Sequence, residues 1–486
     1  MPELTMSASP EVDRPHYERS RLTAGIVHVG VGGFHRAHQA LAVDRLLNQG
    51  LATDFAICGV GLMPGDRRMQ QVLSSQDHLY TLVEKAADGT RTARLVGSII
   101  EFLYAPDDVE AVVEKMASPD TKIVSLTVTE GGYNISPVTG EFDLRYPPVA
   151  ADLTPGATPQ TTFGLVTEAL RRRRARGKGA FTIMSCDNIQ SNGQVAQRAF
   201  TTFARAQDRE LAEWIGAQSR FPNSMVDRIT PVTTDADRAE ITAQFGVEDG
   251  WPVVAEPFFQ WVLEDSFAAG RPPFEEAGVQ VVSDVEPYEL MKLRLLNAGH
   301  QALAYFGHLS GYRYAHEAAQ DPAFAQYLLR YWHTEAIPTL HPVPGIDLGD
   351  YTKTLIERFS NAEVKDTIAR LCQESSDRIP KWLVPVIQHN LATGGPVRIA
   401  AAIVASWARY AEGTDEQGES ITVVDRLADE LMAVAATQRR DRTAFLRRRD
   451  LFGDLADRPR FVQAYEEALE SLYTRGAHAT VAALGQ

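Results

Sequence analysis

The sequence predicts an α/β fold, in which an open, doubly wound parallel sheet is followed by a mostly α-helical domain. Apolar strand patterns alternate with helical patterns through the first half of the chain. After about residue 285, helical patterns follow one another with few strand signals. Alternation of this kind is typical of a parallel sheet that is covered by helices on both faces. We therefore predict two domains, residues 1–285 and residues 286–486.

Four short apolar segments predict strands of the sheet, at residues 26–29, 55–60, 122–128 and 181–186. The last two are largely apolar, which favours strands that are buried on both faces. Helical patterns precede them at about residues 107–117 and 160–176. Polar residues follow the last two segments, Thr129-Glu130 after one and Asp187-Asn188 after the other. Ligands bind at the carboxyl ends of parallel strands, so these residues are expected to face a cleft.

The composition is that of an ordinary globular protein, with 486 residues, of which 44% are hydrophobic and 23% are charged. The net charge of -15 argues against a nucleic acid or an anionic membrane as the main partner. The basic run at residues 171–178 is the exception. We interpret it as a solvated helix end, where cations are favoured, rather than as a nucleic-acid patch.

The cysteines indicate a reducing compartment. There are three, Cys58, Cys186 and Cys372, without a CxxC spacing, which predicts no disulfide framework. The first 20 residues lack the pattern of a signal peptide, and no uncharged apolar stretch is as long as a membrane span. These features predict a cytoplasmic protein. They leave the oligomeric state open, a monomer included.

A glycine-rich turn, Gly30-Val31-Gly32-Gly33-Phe34, follows the first predicted strand and opens a helix. This is the setting of a dinucleotide-binding fingerprint, in which glycines permit a tight turn and bring backbone N–H groups close to a pyrophosphate. The sixth position of the fingerprint is His35 rather than glycine. The turn predicts a Rossmann-type domain that binds a dinucleotide.

The acidic residue nearest to the end of the second predicted strand is Asp66. A carboxylate at such a place accepts a hydrogen bond from the ribose 2′-hydroxyl and repels a 2′-phosphate, which favours NAD. The neighbouring Arg67 and Arg68 offer the opposite interpretation, because cations would accept the phosphate. A charged surface turn without a role in binding is the third interpretation.

Three polar residues, Lys292, Asn297 and His300, interrupt an apolar helical pattern that predicts a buried helix. On an α-helical wheel Lys292 and His300 lie about 80° apart, and Asn297 lies about 60° further round, so all three can border one cavity. Burial of a lysine is costly and lowers its pKa toward the range useful for proton transfer. The structural alternative is a buried ion pair of Lys292 with Glu289 and a hydrogen-bonded core histidine.

Two other chemistries are compatible with short spacings in the sequence. His35 and His38 have an i, i+3 spacing, but no third ligand has a matching spacing, so we predict no metal site. Tyr288 and Lys292 have the Tyr-x-x-x-Lys spacing of short-chain dehydrogenases. In those enzymes the pair lies within a single dinucleotide-binding domain, whereas here it follows a whole predicted domain. The pair stays open as an alternative.

Taken together, these residues resemble the polyol-specific long-chain dehydrogenases, and the resemblance covers nearly the whole chain. Its blocks, in order, are residues 30–40 (GVGGFHRAHQA), 57–66 (ICGVGLMPGD), 125–133 (SLTVTEGGY), 184–188 (MSCDN), 221–231 (FPNSMVDRITP), 256–265 (EPFFQWVLED) and 292–300 (KLRLLNAGH). The family implies a Rossmann-type N-terminal domain, a mostly helical C-terminal domain, no metal and an active site between the domains.

The resemblance also implies roles for individual residues. The family's catalytic lysine falls on Lys292, and the two asparagines that polarise the reacting oxygen fall on Asn188 and Asn297. The family's substrate-binding histidine falls on His300. Three further substrate positions are implied by the family: Asp227, Arg370 and Arg378.

Two departures from the family pattern bear on substrate preference. Arg378 stands where the family's closest members have lysine, and arginine is not an equivalent donor. Ala298-Gly299 stands between Asn297 and His300 where Gly-Ser is usual.

The activity implied by the resemblance is a metal-free, NAD-dependent hydride transfer between an open-chain polyol and its ketose, with D-mannitol and D-fructose as the expected pair. Lys292 would take the hydroxyl proton and Glu289 would relay it to solvent. Within the family, the alternatives are a uronate reductase acting on fructuronate or mannonate, or an arabinitol or sorbitol dehydrogenase. Outside it, the alternative is a dinucleotide-binding protein without turnover. The expected partner is a small-molecule substrate, not a nucleic acid or a membrane.

Overall fold

A computed structural model of the chain describes residues 5–6, 12–135 and 140–486. The chain divides into two compact units, Met1–Glu286 and Pro287–Gln486. The first combines a parallel sheet with helices, and the second is mostly helical. The fold class predicted from the sequence is therefore confirmed.

Five parallel strands form the central sheet of the first unit: β1 (Ala24–Val29), β2 (Ala56–Gly61), β3 (Ile99–Tyr104), β4 (Ile123–Leu126) and β5 (Thr182–Ser185). Their order in the sheet is β3-β2-β1-β4-β5. The direction of winding reverses between β1 and β4. In a doubly wound sheet this switch point is where a ligand binds, outside the carboxyl ends of the strands.

Helices cover both faces of this sheet. In chain order they are α1 (Gly33–Ala37), α2 (Gln39–Asn48), α3 (Asp66–Ser75), α4 (Val109–Ala117), α5 (Pro147–Asp152), α6 (Thr162–Ala175), α7 (Asn192–Gln207) and α8 (Arg209–Gln218). A ninth helix, α9 (Asp235–Phe245), contributes Ile241 and Phe245 to a separate apolar cluster. Successive side chains of β1 point to opposite faces of the sheet, as they do along any strand, and so pack in different apolar clusters. Val27 and Val29 belong to one apolar cluster and Ile26 to another, so the central sheet is buried on both sides.

Smaller sheets surround the central one. Tyr80–Lys85 pairs antiparallel with Arg91–Val96, and this ribbon is extended by Val12–Asp13 and Val253–Ala255. The other pairings join Ser224–Asp227 to Gln260–Glu264, Gln260–Glu264 to Gln280–Val282, and Thr5–Met6 to Val247–Glu248. Short 3₁₀ turns occur at Arg19–Arg21, Glu130–Tyr133 and Phe274–Ala277.

The basic run at the end of α6 takes part in an ion-pair network. Arg172 contacts Glu110 at 2.5 Å, Glu114 at 2.6 Å and Glu168 at 3.0 Å. Arg176 also pairs with Glu114, at 2.6 Å. These arginines therefore neutralise acidic side chains of their own unit.

The second unit is built from helices α10 (Glu286–Met291, which begins at the boundary), α11 (Ala298–Leu309), α12 (Ala315–Gln320), α13 (Pro322–Tyr331), α14 (Leu348–Phe359), α15 (Ile368–Leu371), α16 (Ser375–Trp382), α17 (Val384–Thr393), α18 (Arg398–Tyr410), α19 (Ala428–Ala435), α20 (Arg449–Phe452), α21 (Pro459–Arg475) and α22 (Ala477–Gly485). Two π-helical segments, Lys292–Asn297 and Trp332–Ala336, extend α10 and α13. Short 3₁₀ turns lie at Ile337–Thr339, Phe445–Arg447 and Leu455–Asp457. Within the described residues, no helix is both long and apolar enough to cross a membrane.

Replacing Glu335 by alanine is expected to destabilise the second unit. This side chain is 1% exposed, and its carboxylate accepts from the N–H groups of Ile399 (2.7 Å) and Ala400 (2.8 Å) at the start of α18. Removing it leaves two buried helix donors unpaired, at a cost of about 1–3 kcal/mol each. Urea denaturation should show the loss, and Glu467→Ala, an exposed position in α21, is the matched control.

The contribution of Glu335 should also depend on pH. Burial raises the pKa of Glu335, although the two N–H bonds oppose the shift. A carboxyl whose pKa is higher in the folded state stabilises the fold fully below its unfolded-state pKa, and the contribution is lost as pH rises through the folded-state pKa. Glu335→Gln should therefore flatten the fall in stability across that window, and an unchanged pH profile would contradict the assignment.

Candidate active site

The glycine turn lies at the switch point of the sheet, directly after β1. Gly30 has φ +94, and a Cβ atom there would lie 2.1 Å from the carbonyl oxygen of Thr127, so the fold itself requires glycine. At Gly32 and Gly33 the nearest described atoms to such a Cβ lie at 4.0 and 3.6 Å. These two glycines leave open space before the first turn of α1, which fits the close approach of a pyrophosphate.

Polar side chains of β1 and of β4 and the residue after it form hydrogen bonds that fix the glycine turn. The hydroxyl of Thr127 donates to the carbonyl of Gly30 at 2.6 Å, and Nε2 of His28 lies 2.9 Å from that hydroxyl oxygen. Nδ1 of His28 lies 2.8 Å from the hydroxyl of Ser125. Burial lowers the pKa of His28 to about 3, so its ring is neutral at physiological pH.

The other residues of the turn, and the histidines that follow it, pack in the interior of the first unit. Val31 is buried, and Phe34 is half-buried against the same apolar cluster, so Val31 can contribute to a ligand only through its backbone. The ring of His35 stacks on His28 at 3.4 Å, and Nδ1 of His38 contacts the carbonyl of Phe34. Among the residues that the structure describes, no group of three His, Cys, Asp or Glu side chains is placed to hold a metal ion.

Asp66 is the first residue of α3, just past the carboxyl end of β2. Its Oδ2 accepts from the N–H groups of Leu62 (2.9 Å) and Met63 (2.8 Å). These bonds fix the carboxylate beside the end of β2, next to the glycine turn that follows β1. This is the place where the dinucleotide fold holds its acidic ribose ligand.

The two arginines after Asp66 are engaged elsewhere. Arg67 pairs with Asp107, and its guanidinium lies 4.5 Å from the ring centre of Tyr104. The guanidinium of Arg68 lies 5.0 Å from the ring centre of Trp251. The residues present at this end of the sheet therefore fit a cofactor with a free 2′-hydroxyl.

Asn188 is exposed at the apex of a tight turn that follows β5. The turn is closed by the N–H of Ile189, which donates to the carbonyl of Asp187 at 2.9 Å. Asn192 donates to the same carbonyl (3.0 Å) and to the carbonyl of Ser224 (2.7 Å). Ser224 begins the strand that ends at the buried Asp227, so Asn192 connects the turn that carries Asn188 to the strand that carries Asp227.

The helix that carries Lys292 differs from the prediction. Instead of one α-helix, the chain forms α10, a π-helical segment from Lys292 to Asn297, and then α11. The wheel angles expected for an α-helix do not apply here. Residues five apart lie about one turn apart in a π-helix, so Lys292 and Asn297 come closer to one face. Trp332 Nε1 donates to the Leu295 carbonyl at 2.8 Å and so binds an oxygen of the widened turn.

Both polar ends of the π segment are buried. Lys292 is 8% exposed and Asn297 is 5% exposed. The Nδ2 atom of Asn297 has no hydrogen-bond partner among the described residues. Buried amide donors in proteins are almost always paired, so this one is an exception that a ligand oxygen would explain. Glu289, the predicted ion-pair partner or proton relay of Lys292, is also buried.

Aromatic side chains lie beside His300, a feature that the sequence does not predict. The His300 ring stacks on Phe359 with centres 4.2 Å apart, and Phe359 lies 6.1 Å from Trp332. A Cβ atom at Gly299 would lie 2.8 Å from the Trp332 ring. Gly299, one of the two residues that depart from the family pattern here, therefore allows Trp332 to approach α11.

The two predicted substrate arginines have different surroundings. Arg370 is half-exposed and forms a two-pronged ion pair with Asp366, at 2.6 and 2.5 Å. Arg378 donates to the carbonyl of Leu371 at 3.1 Å, and Gln301 of α11 donates to the same oxygen at 3.2 Å. The structure thus connects Arg378, but not Arg370, to the Lys292 helix by a shared acceptor.

Tyr288 is poorly suited to act as a base. Its hydroxyl donates to the carbonyl of Pro344 at 2.9 Å, and burial raises its pKa. A tyrosine that acts as a general base needs the opposite shift. These observations weigh against the short-chain dehydrogenase mechanism.

Both units match family models. Residues 24–276 match the mannitol dehydrogenase Rossmann domain, and residues 284–473 match the mannitol dehydrogenase C-terminal domain. The chain is 49% identical over 481 residues to a mannitol 2-dehydrogenase of Phaeosphaeria nodorum, covering 98% of this chain and 84% of that protein.

Two solved structures are similar over their whole length. One is the Pseudomonas fluorescens mannitol 2-dehydrogenase in a ternary complex with NAD and D-mannitol, with a TM-score of 0.90, 45% identity and coverage of 98% of this chain and 97% of that one. The other is a substrate-free D-sorbitol dehydrogenase, with a TM-score of 0.90, 38% identity and 98% coverage of both chains. The chain therefore belongs to the mannitol dehydrogenase family.

Proposed function

We propose that this protein is an NAD-dependent polyol 2-dehydrogenase that interconverts D-mannitol and D-fructose. The names of its relatives and the bound NAD and D-mannitol of the Pseudomonas fluorescens structure support this proposal. The observation that carries it is the buried, unpartnered amide donor of Asn297 in the same π segment as the buried Lys292. A base and a donor for one oxygen are what the oxidation of an alcohol requires.

In the proposed reaction, Lys292 removes the proton from the hydroxyl group that is oxidised. Asn188 and Asn297 donate hydrogen bonds to the oxygen on which charge develops, a preorganised electrostatic role. His300 binds a neighbouring hydroxyl of the polyol, and Glu289 passes the proton to solvent. When bound, NAD supplies the acceptor for the hydride.

We assign the binding of NAD to residues 1–285 and the supply of the base and most substrate contacts to residues 286–486. The backbone of Gly30–Phe34 would hold the pyrophosphate and Asp66 the ribose. The ion pair of Arg67 and the stacking of Arg68 support NAD over its 2′-phosphorylated form. We also propose a cytoplasmic location, which the three free, buried thiols support. The proposed oligomeric state is a monomer, which light scattering after size exclusion would test.

Arg378 is the residue that we expect to tune substrate preference, together with Asp227 and Arg370. Arg378→Ala should raise KM for the polyol about ten- to a hundred-fold with little change in kcat, because a charged donor to the substrate is lost in ground and transition states alike. Arg378→Lys should restore most of the affinity for D-mannitol. Arg426→Ala, which removes the partner of the adjacent Asp377, is the matched control.

The guanidinium group of Arg378 also favours a second candidate, the reduction of a uronate, since arginine binds carboxylates with two parallel bonds. Oxidation of NADH in the presence of D-fructose or of D-fructuronate separates the two functions. We expect the larger kcat/KM with D-fructose. A larger value with D-fructuronate would replace the proposed substrate pair.

A further inference from the structure

The backbone of Thr129 has an unusual conformation that the proposed reaction leaves unexplained. Its φ of +65 and ψ of 167 lie in a region that is populated almost only by glycine, although threonine is β-branched. Such conformations persist where surrounding contacts impose them, and they cluster at functional sites. Thr129 follows β4, and Asn188 follows the adjacent strand β5, so the two lie at the same edge of the sheet.

The contacts that impose this conformation come from Asp187. The Asp187 side chain is 8% exposed, and its two oxygens accept from the N–H groups of Val128 (3.1 Å) and Thr129 (2.8 Å). The buried hydroxyl of Tyr133 donates to the same carboxylate at 2.8 Å. Burial and the nearby carboxylate raise the pKa of Tyr133, which keeps this hydroxyl protonated and able to donate.

The main chain of Asp187 is held as well. Its N–H donates to the hydroxyl of Ser185 at 3.3 Å, and its carbonyl accepts from Ile189 and Asn192. The residue immediately before Asn188 is therefore fixed at its amide, its carbonyl and its carboxylate. The fixed position of Asp187 therefore determines where Asn188 lies relative to the end of β5.

We propose that Asp187 is a positioning residue for the reaction, a role that rests on the proposed function of Asn188. Its carboxylate clamps the loop Thr127–Tyr133 to the end of β5 and so sets the place from which Asn188 donates to the substrate oxygen. Bonds to a charged acceptor are short and strong, and an amide at this position would turn an N–H group toward one of the loop donors.

The chain contains a matched control for this clamp. Asp152 is equally buried, and its carboxylate accepts from the consecutive N–H groups of Gln160 and Thr161, both at 2.8 Å. It precedes α6 and has no proposed role in the reaction. Asp152→Asn thus removes the same kind of interaction without touching the loop that follows β4.

The experiment compares Asp187→Asn and Asp152→Asn by hydrogen exchange and by single-turnover oxidation of D-mannitol. We expect faster exchange at Val128 and Thr129 in Asp187→Asn alone. The rate of hydride transfer should fall about 10²-fold in that variant, the usual effect of a small misplacement of a reacting group. The dissociation constant of NADH should stay unchanged, because the glycine turn is intact.

Three results would overturn the proposal: unchanged exchange at Val128 and Thr129, an unchanged rate, or an equal loss of rate in Asp152→Asn. If the unmodified protein oxidises no polyol, the proposed function fails, whereas the exchange comparison still tests the clamp. Should Asp187→Asn not fold, Tyr133→Phe removes one donor only. It should change exchange and rate in the same direction by a smaller factor, and no change in either would contradict the clamp.

Discussion

Replacing Lys292 by alanine is expected to lower the rate of polyol oxidation about 10²–10⁴-fold at neutral pH, the usual contribution of a general base. Lys292 is the buried lysine of the π segment, five residues before the unpartnered amide of Asn297. The dissociation constant of NADH should be unchanged, since the loss concerns proton transfer. Stopped-flow absorbance for the rate and NADH fluorescence for the affinity measure the two quantities separately.

The pH profile and a rescue experiment sharpen this test. A base must be deprotonated to act, so kcat/KM for polyol oxidation should rise with pH in the unmodified protein, and this limb should disappear in Lys292→Ala. Small primary amines should restore part of the rate. Tyr288→Phe is the control and should have little effect. Near-normal turnover in Lys292→Ala with severe loss in Tyr288→Phe would instead favour the short-chain mechanism.

The second large effect is expected at Gly30. Gly30→Ala places a methyl group 2.1 Å from the Thr127 oxygen in a φ > 0 conformation, which costs about 1–3 kcal/mol before the clash is counted. We therefore expect a large fall in the melting temperature together with a loss of NADH binding. Differential scanning calorimetry and NADH fluorescence measure the two effects.

Gly32→Ala separates the need for glycine in folding from the need for glycine in cofactor binding. Gly32 has φ -98, and its added methyl group would lie 4.0 Å from the nearest described atom, so the melting temperature should stay unchanged. The same methyl group would occupy the space through which a pyrophosphate approaches the backbone, and NADH affinity should fall. Normal NADH affinity in Gly32→Ala would mean that the cofactor binds elsewhere.

Much of the fold could be predicted because its signals are local. Short apolar runs predicted β1, β2, β4 and β5 to within a few residues, since buried parallel strands are apolar on both faces. Strand β3 was missed: it lies at the sheet edge, is only half-buried and carries Glu101, so its pattern is not that of a core strand. The antiparallel ribbon around Tyr80–Lys85 was missed as well.

The glycine turn could be predicted for a similar reason. Glycine tolerates a positive φ, as at Gly30, and lacks a Cβ atom, so the pattern of glycines itself indicates the turn. The family resemblance that these and other blocks carried is confirmed by the matching domain models. The individual roles of Lys292, Asn188 and the other site residues stay predictions.

The rest of the site depends on contacts between residues that are distant in sequence. The pattern around Lys292 is apolar nearly all round, so it does not distinguish an α-helix from a π-helix. The bond from Trp332 to Leu295 is a tertiary contact. The clamp of Asp187 on Val128 and Thr129 joins residues about 60 positions apart. Neither has a signature in the local sequence.

The most direct test of the proposed activity is to mix the purified protein with NAD and a panel of polyols and to follow absorbance at the NADH band. D-mannitol, D-sorbitol, D-arabinitol and a polyol-free blank form the panel. We expect NADH to appear with D-mannitol, together with an equal amount of D-fructose identified by chromatography. Binding of NADH without turnover of any polyol would contradict the proposal and favour a dinucleotide-binding protein that does not catalyse.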